Sequence, residues 1–498
     1  MTLRKSFWST RFLPVLAFTV LGFLVMGYHP GLEDDAVYLA SVKAELHPAL
    51  FPYNAAFVRM QTQATIFPGW IAHFASFTHL SAAWAELLWQ FIGLFAIVWA
   101  CHGIARRLFA ESSAQWAGVA AVTALFTLPV AGTALYLVDQ HLHPRTLATA
   151  CILLAVDRIL AGRRWPAALL LVLAFLFHPI MAAMGISFSV FLSVALMDPA
   201  PAWLRAWLGE DRTSMVAAAL PLAWVFAPPN PTWRKAVATR TYFFIYQWAW
   251  YEWLGVLVPL FLFWLLWRMA RRRGESRLAR FALAVFAYGL FQQCVAFLML
   301  TPPVLVRLTP WQPMRYLQLV YFFFVLLGGC LLGKYLLKDR LWRWAIFLVA
   351  FNGGMLVSQI VEYSASPHLE MPWVHSSNPW LQAFAWIRHN TPVNAYFALD
   401  PYYLAAPGED YHGFRALAER SQLADAIKDT AVVTLVPELG PVWERQVDAQ
   451  KGWPSFQLAD FERLKKEFGV NWVLVSYPQP PGLDCRWHNS SLSVCQIP

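Results

Sequence analysis

The chain has 498 residues, of which 58% are hydrophobic and only 13% are charged. Soluble globular proteins carry about 25% charged residues, so this composition excludes an ordinary soluble enzyme and predicts a polytopic membrane protein. The net charge of +9 does not indicate a nucleic-acid partner. The basic residues fall in short loops between apolar runs, where membrane topology explains them.

Apolar runs of the length that a bilayer requires recur along the first three quarters of the chain. A spanning helix needs about 20 apolar residues, with some tolerance, and the sequence predicts about eleven spans. They run near 12–28, 82–101, 115–137, 146–161, 165–177, 180–197, 214–227, 253–267, 281–300, 316–333 and 343–361. The fifth and sixth are divided at His178-Pro179, because proline breaks the hydrogen-bond ladder of a helix.

Basic residues in alternate loops indicate the orientation of these spans. Arg106-Arg107, Arg163-Arg164 and the cluster RMARRRGESRLAR fall on the same predicted side. Because positive loops stay in the cytoplasm, we expect a cytoplasmic N-terminus and an extracytoplasmic segment 362–498. A bacterial inner membrane is the expected location, since the outer segment carries little that suggests glycosylation in a secretory pathway.

The segment 362–498 is polar and punctuated by prolines, unlike the rest of the chain. It predicts short strands at 395–399, 432–436 and 471–477, and amphipathic helices at 413–428 and 459–468. We therefore expect two parts: a transmembrane part, 1–361, with a long first outer loop at 29–81, and a small C-terminal α/β domain, 362–498. Cys485 and Cys495 are expected to form a disulfide if that domain is extracytoplasmic.

Three carboxylates, Glu33, Asp34 and Asp35, follow the first predicted span at the outer membrane surface. One interpretation is structural, since acidic residues at the start of an interfacial helix interact favourably with its dipole. The other is functional: a carboxylate there could act as a general base towards a hydroxyl or bind a hard divalent cation. The spacing alone leaves both open.

The second outer loop, LVDQHLHPRTL, concentrates polar side chains at the same surface. Asp139, His141 and His143 could bind a metal, together with Asp35. A histidine could instead act as a base, and the guanidinium of Arg145 suits a phosphate. A solvated turn explains four such residues less well than it explains one or two.

Further cationic or polar candidates lie in the later outer loops. His178 falls at the turn between the fifth and sixth spans, where a lone histidine beside a proline is often structural. Arg240, Arg307 and Arg315 lie on the predicted outer side, although positively charged loops usually stay in the cytoplasm. Their position therefore requires another explanation. An anionic lipid head group, a lipid-linked phosphate or an internal carboxylate would serve.

Several stretches resemble the GT-C superfamily of membrane glycosyltransferases. GLEDDAVYLASVKAE is similar to the acidic position after the first helix of that family, and 29–81 to its long first outer loop. AFAWIRHNTPVNAYFALDP and FGVNWVLVSY are similar to the start and a late strand of its outer domain. The fold that this resemblance implies is a polytopic α-helical membrane protein of about eleven spans with a small C-terminal extracytoplasmic α/β domain.

The resemblance also implies an activity, the transfer of a sugar from a polyprenyl-phosphate donor to an envelope acceptor. The acceptor, whether glycan, lipid or protein, stays unidentified. Asp34 or Asp35, or Glu33 beside them, would supply the base or metal ligand. Arg145, Arg240, Arg307, Arg315 and His178 would hold the donor phosphate. Some members use a divalent metal such as Mg²⁺ or Mn²⁺ and others do not.

Two other functions compete with this one. A transporter or flippase of a lipid-linked substrate would explain the basic outer loops, but it predicts internal repeats and charges paired at mid-bilayer. A non-catalytic envelope scaffold predicts that Asp34, Asp35 and the histidine loop lie far apart and face no cavity.

Overall fold

The computed structural model describes residues 11–197 and 229–498. Helices dominate it. They are α1 (Leu13–Met26), α2 (Asp35–Leu46), α3 (Ala55–Ala64), α4 (Phe67–Thr78), α5 (Ala82–Leu108), α6 (Ser112–Ala124), α7 (Pro144–Leu160), α8 (Arg164–Phe177), α9 (Pro179–Leu196), α10 (Pro231–Ala238), α11 (Trp250–Arg272), α12 (Ser276–Leu300), α13 (Tyr316–Leu332), α14 (Leu341–Glu362), α15 (Pro379–Asn390), α16 (Phe414–Ala418), α17 (Lys428–Leu435), α18 (Gly440–Ala449) and α19 (Leu458–Phe468). The strands are β1 (Pro129–Val130), β2 (Leu135–Tyr136), β3 (Tyr396–Ala398), β4 (Ser421–Gln422), β5 (Trp472–Ser476), β6 (Asp484–His488) and β7 (Leu492–Gln496).

Six segments of the described residues are long and apolar enough to cross a bilayer: α5, α9, α11, α12, α14 and Pro313–Leu337, which contains α13. The helices α1 and α8 are apolar but shorter. The chain is therefore a multi-pass, mostly helical protein. The count of eleven spans stays a prediction, and the predicted span at 214–227 lies outside the described residues.

The predicted span at 115–137 is wrong in its second half. The helix α6 ends at Ala124, and a hairpin of β1 and β2 follows. Pro129 disfavours helical backbone at the residue before it. Gly132 has a φ of +61°, and a Cβ there would lie 2.3 Å from the Trp248 ring. The hairpin therefore replaces the outer end of a helix and leaves space beside it.

The apolar run at 165–197 forms two helices, as the proline predicts. His178 ends α8 with extended backbone (φ −153°, ψ 94°), and α9 begins at Pro179. The two helices pack against each other and against α7. This break leaves His178 between the two helices, where it is 7% exposed.

A five-stranded mixed sheet organises the C-terminal part, in the order β4-β3-β5-β7-β6. The strands β4, β3 and β5 are parallel, while β5, β7 and β6 are antiparallel. The expected disulfide joins Cys485 of β6 to Cys495 of β7. The predicted strands at 395–399 and 471–477 and the helix at 459–468 are confirmed. The boundary between residues 361 and 362 stays a prediction.

Two expectations for this part are wrong. The apolar stretch 432–436 belongs to the helix α17, not to a strand. The predicted helix at 413–428 divides into the short helix α16, the strand β4 and the start of α17. Short apolar runs are ambiguous between helix and strand when periodicity is the only signal, and here tertiary contacts decide.

The C-terminal part packs directly on the first outer loop. The Lys43 ammonium on α2 donates to the Ala416 carbonyl at 2.7 Å and to Glu419 at 2.7 Å. The Asn54 amide donates to the Tyr396 hydroxyl at 3.1 Å and to Gln446 at 2.8 Å. The regions that follow α1 and α14 therefore pack together as one layer, here called the outer layer, and the start of α2 lies within it.

Candidate active site

A strained turn presents Asp34 at the outer end of the bundle. Glu33, which precedes it, has a left-handed φ of +53°, a conformation that is uncommon for a residue with a side chain. The Glu33 N–H donates to the Tyr411 carbonyl at 2.9 Å, so the C-terminal part helps to hold the turn. Asp34 is the N-cap residue of α2, and its side chain is 42% exposed.

Two side chains face the Asp34 carboxylate from distant parts of the chain. The Lys428 ammonium donates to Asp34 Oδ1 at 3.2 Å and also contacts Glu33 Oε2. His143 Nε2 lies 3.7 Å from Asp34 Oδ2. Partial desolvation raises the pKa of Asp34, but Lys428 and His143 outweigh this effect, so that the pKa lies well below its ordinary value. Asp34 is therefore ionised at neutral pH.

His143 is held in a single orientation. Its Nδ1 accepts from the Arg145 N–H at 2.9 Å and so caps α7. Burial and the Arg145 guanidinium lower the pKa of His143 to about 4, so the ring is neutral. Its proton must then lie on Nε2, which faces Asp34. The Tyr38 ring packs edge-on against it, with centroids 4.7 Å apart.

The other polar residues of this loop form a second group. The Arg145 guanidinium donates to both oxygens of Asp139, at 2.7 and 3.2 Å. Arg145 Nη1 is buried and has no hydrogen-bond partner within residues 11–197 and 229–498. Both ring nitrogens of His141 are also buried and have no hydrogen-bond partner in the described part of the chain. These atoms are the ones that a bound ligand could engage.

Two more arginines complete the site. Arg315 Nε donates to Gln312 Oε1 at 2.7 Å, and its Nη1 lies 3.4 Å from His178 Nε2. The Arg240 Nη2 contacts the Ile427 carbonyl oxygen. Among the described residues, neither Arg240 nor Arg315 forms an ion pair with a carboxylate. Their charges are therefore available to an anion.

Two cavities meet at these residues. The larger has a volume of about 600 Å³ and the smaller about 260 Å³. Their common wall consists of Asp34, Arg240, Tyr242, Arg315 and Lys428. The larger cavity also includes Arg145, Asp139, His141 and the β1–β2 hairpin, while His143 and His178 line the smaller one.

Two predicted site residues lie elsewhere. Asp35 is 2% exposed, and its Oδ2 accepts from the Gly31 N–H at 2.6 Å. It lines neither cavity, and burial raises the pKa of its carboxyl. Arg307 lies in the 3₁₀ segment Pro303–Trp311 and also lines neither cavity. Of the three clustered carboxylates, Glu33 and Asp34 face the larger cavity.

Of the four predicted metal ligands, Asp139 and His141 line the larger cavity and His143 the smaller one, while Asp35 lines neither. Both oxygens of Asp139 are occupied by Arg145, His143 Nδ1 caps a helix, and Asp35 points away from the cavities. A different group in the described residues is compatible with a divalent metal: His29, Glu370 and His412, whose ligand atoms lie within 4.8 Å of one another. It lines neither cavity.

Some site residues were not identified from the sequence. Lys428 is separated from Asp34 by 394 positions and reads in the sequence as one charge on an amphipathic helix. Tyr38 lies one helical turn after Asp34, a spacing that could have identified it. Tyr242 resembles the other aromatic residues of an interface belt.

No protein-family model matches this chain, and no curated protein matches it. In structure it is similar to the oligosaccharyltransferase of Archaeoglobus fulgidus in its apo form, with 12% identity and a TM-score of 0.45 over 94% of this chain and 70% of that chain. The structure of the same enzyme in complex with Zn and sulfate has 12% identity and a TM-score of 0.44, over 93% of this chain and 68% of that chain. Archaeal oligosaccharyltransferase AglB from that organism, in complex with an inhibitory peptide and a dolichol-phosphate, has 13% identity and a TM-score of 0.43, over 93% of this chain and 69% of that chain. Similarity at this level assigns no activity.

Proposed function

We propose that this chain is a membrane glycosyltransferase that moves a sugar from a polyprenyl-phosphate donor to a hydroxyl acceptor at the outer membrane surface. The observation that carries the proposal is the wall between the two cavities. It combines an ionised carboxylate, Asp34, with two arginines, Arg240 and Arg315, that pair with no carboxylate among the described residues. A base beside an anion site is what glycosyl transfer from a lipid phosphate requires.

The larger cavity suits the donor. Tyr251 and Gly255 of α11 and Tyr321 of α13 line it, and both helices belong to apolar segments of spanning length. A prenyl chain in the bilayer could therefore present its phosphate to the cavity. The phosphate oxygens would meet Arg240, Arg315 and the unpartnered Nη1 of Arg145.

The smaller cavity suits the acceptor. Its walls come from elements of the outer layer, including Met60 and Ala64 of α3 and Val432 and Leu435 of α17. A glycan, lipid head group or protein segment at the outer surface could enter here. The acceptor hydroxyl would then approach Asp34, which lies on the common wall.

The reaction follows from this arrangement. The acceptor hydroxyl donates a hydrogen bond to Asp34 and attacks the anomeric carbon of the donor sugar. The bond between that carbon and the phosphate oxygen breaks, and its electron pair leaves with the phosphate, which the arginines stabilise. Asp34 takes the hydroxyl proton as the new bond forms. Its low pKa suits a late proton transfer, because an oxocarbenium-like transition state makes the attacking hydroxyl acidic.

The two competing functions fit less well. A transporter predicts charges paired at mid-bilayer, whereas Asp157 pairs with Arg107 and Arg158 near the ends of α5 and α7. A scaffold predicts separated polar clusters, whereas the 3.7 Å between Asp34 and His143 argues for one site. The bacterial inner membrane, with the C-terminal domain on the periplasmic side, is part of the proposal.

Mass spectrometry of envelope glycans and polyprenyl-linked sugars tests the function. Cells lacking the protein should lose one sugar modification and accumulate its lipid donor. Wild type and Glu467→Gln, a variant of an exposed residue on α19, should restore the modification, whereas Asp34→Asn at equal expression should not. Unchanged glycans and lipid-linked sugars in cells lacking the protein would contradict the proposal.

A further inference from the structure

A cluster of metal-binding side chains joins three distant segments of the outer layer. His29 follows α1, Glu370 follows α14, and His412 precedes α16. His29 Nδ1 lies 2.9 Å from Glu370 Oε1, and His412 Nε2 lies 3.0 and 3.1 Å from the two Glu370 oxygens. The histidine side chains are 0% exposed and that of Glu370 is 10% exposed.

Main-chain contacts also hold the three residues in place. The Glu370 N–H donates to the Tyr28 carbonyl at 2.8 Å, and the His29 N–H donates to Gln140 at 2.9 Å. Leu32 forms an antiparallel bridge with His412. The backbone therefore preorganises the cluster, as a tight binding site requires.

The nitrogens that face Glu370 can become ligands because the second nitrogen of each ring can carry the remaining proton. His412 Nδ1 lies 3.1 Å from the Glu409 carbonyl oxygen and donates to it. A ligating histidine almost always uses its second nitrogen in this way. His412 Nε2 hydrogen-bonds to Glu370 and would lose its proton on binding a metal ion. His29 Nε2 is buried without a hydrogen-bond partner in the described residues. Nδ1 of His29 hydrogen-bonds to Glu370 and would bind an ion once the ring proton lies on Nε2 instead.

The ligand set identifies the class of ion. Two imidazole nitrogens and one carboxylate match Zn²⁺ and its neighbours among the transition metals, whereas Mg²⁺ and Ca²⁺ take oxygen ligands. Ligand atoms 2.0–2.1 Å from a tetrahedral Zn²⁺ are about 3.3 Å apart. The separations to Glu370 are 2.9–3.1 Å, and all three ligand atoms lie within 4.8 Å of one another, so binding an ion requires small shifts of the side chains.

We propose that His29, Glu370 and His412 bind one Zn²⁺-type ion, which fastens the C-terminal domain to the exits of α1 and α14. The ion stabilises the segment 28–34 that leads to Asp34. It takes no part in chemistry, because its ligands line neither cavity. The proposal does not depend on the glycosyltransferase activity.

Metal analysis of the detergent-purified full-length protein tests this site. After exposure to Zn²⁺ and removal of the excess, wild type should retain about one equivalent by plasma mass spectrometry. His412→Gln and His29→Gln should lose it. His389→Gln, at an exposed histidine of α15, and Asp34→Asn, in the cavity wall, should both retain it, which separates this site from the candidate active site.

A second measurement uses wild type alone, so its result does not depend on whether the variants fold. The thermal unfolding midpoint should be several degrees higher in Zn²⁺ than in a chelator, because an ion that binds only the folded state stabilises it. Wild type that retains no ion and shows no midpoint shift would overturn the proposal. Retention of the full equivalent by both His412→Gln and His29→Gln would also overturn it.

Discussion

Asp34 owes its ionised state to side chains from several elements. Lys428 of α17, His143 and Arg145 of the second outer loop and Arg315 before α13 favour its charged form. Its pKa in the folded protein lies below that in the unfolded chain. The carboxylate therefore contributes stability above its unfolded pKa, and this contribution is lost as the pH falls through the folded pKa.

Replacement of Asp34 by asparagine should remove the base with little change in shape. We expect the transfer rate to fall about 10²–10⁴-fold, the usual contribution of a general base. The unfolding midpoint at neutral pH should also fall, because the variant loses the charge that Lys428 stabilises. Turnover assays with equal amounts of folded protein check this. Asp35→Asn should retain transfer, because Asp35 is buried outside the cavities. Equal losses of turnover in the two variants would contradict the assignment.

Replacement of Lys428 by methionine should change the pH dependence of transfer. The variant removes the nearest cation from Asp34, so the pKa of Asp34 should rise towards and above its ordinary value. Wild type should keep its kcat/KM through mildly acidic pH, whereas the variant should lose kcat/KM there as Asp34 is protonated. Lys451→Met, at an exposed lysine, is the matched control. If kcat/KM fell at the same acidic pH in wild type, Lys428→Met and Lys451→Met, this role of Lys428 would be refuted.

At the scale of elements, helices were more predictable than their ends. Long apolar runs predicted α5, α9, α11, α12 and α14 because bilayer thickness fixes their length. The hairpin at 129–136 was missed, although Pro129 and Gly132 carry its signal, because the run around them stays apolar. The stretch 432–436 was assigned to a strand, since β-branched residues favour strands. Packing against α10 and α18 makes it a helix instead.

A buried ion pair fixes the orientation of α17 and so of Lys428. The Arg415 guanidinium of α16 donates to both oxygens of Asp429, at 2.7 and 2.8 Å. Asp429→Asn leaves a buried guanidinium without its counter-ion, and we expect a cost of about 3–5 kcal/mol. Limited proteolysis of the C-terminal part should be faster in Asp429→Asn than in wild type, and the unfolding midpoint should be lower.

The exposed pair between Arg445 and Glu467 supplies the control for this prediction. Exposed ion pairs contribute about 0–1 kcal/mol, so Glu467→Gln should leave both readouts almost unchanged. If Asp429→Asn were as stable as Glu467→Gln, the buried pair would not position α17.

At the scale of the molecule, the candidate site was predictable in part. The sequence placed Glu33, Asp34, Asp139, His141, His143 and Arg145 at one surface, because they follow or precede apolar spans. It could not show that Asp139 neutralises Arg145 or that Asp35 turns away, since both depend on side-chain direction. Nor could it bring Lys428 to Asp34 or His412 to His29, because those contacts depend on how the outer layer packs.

The orientation of the chain in the membrane can be tested directly. Against a Cys294→Ser background, His389→Cys on α15 should react with a membrane-impermeant maleimide in intact cells. Arg273→Cys, after α11, should react only once the membrane is permeabilised. Labelling of Arg273→Cys in intact cells, with His389→Cys protected, would reverse the assigned topology.

The lipids that co-purify with the Asp34→Asn protein test the central claim most directly. This variant keeps Arg145, Arg240 and Arg315 but lacks the base, so it should trap the donor. Mass spectrometry of its lipid extract should find a polyprenyl-phosphate sugar, which is depleted in extracts of wild type and of Asp34→Asn combined with Arg240→Gln and Arg315→Gln. If the Asp34→Asn protein carries no such lipid and transfers sugar at the wild-type rate, Asp34 is not the base of a lipid-phosphate glycosyltransferase.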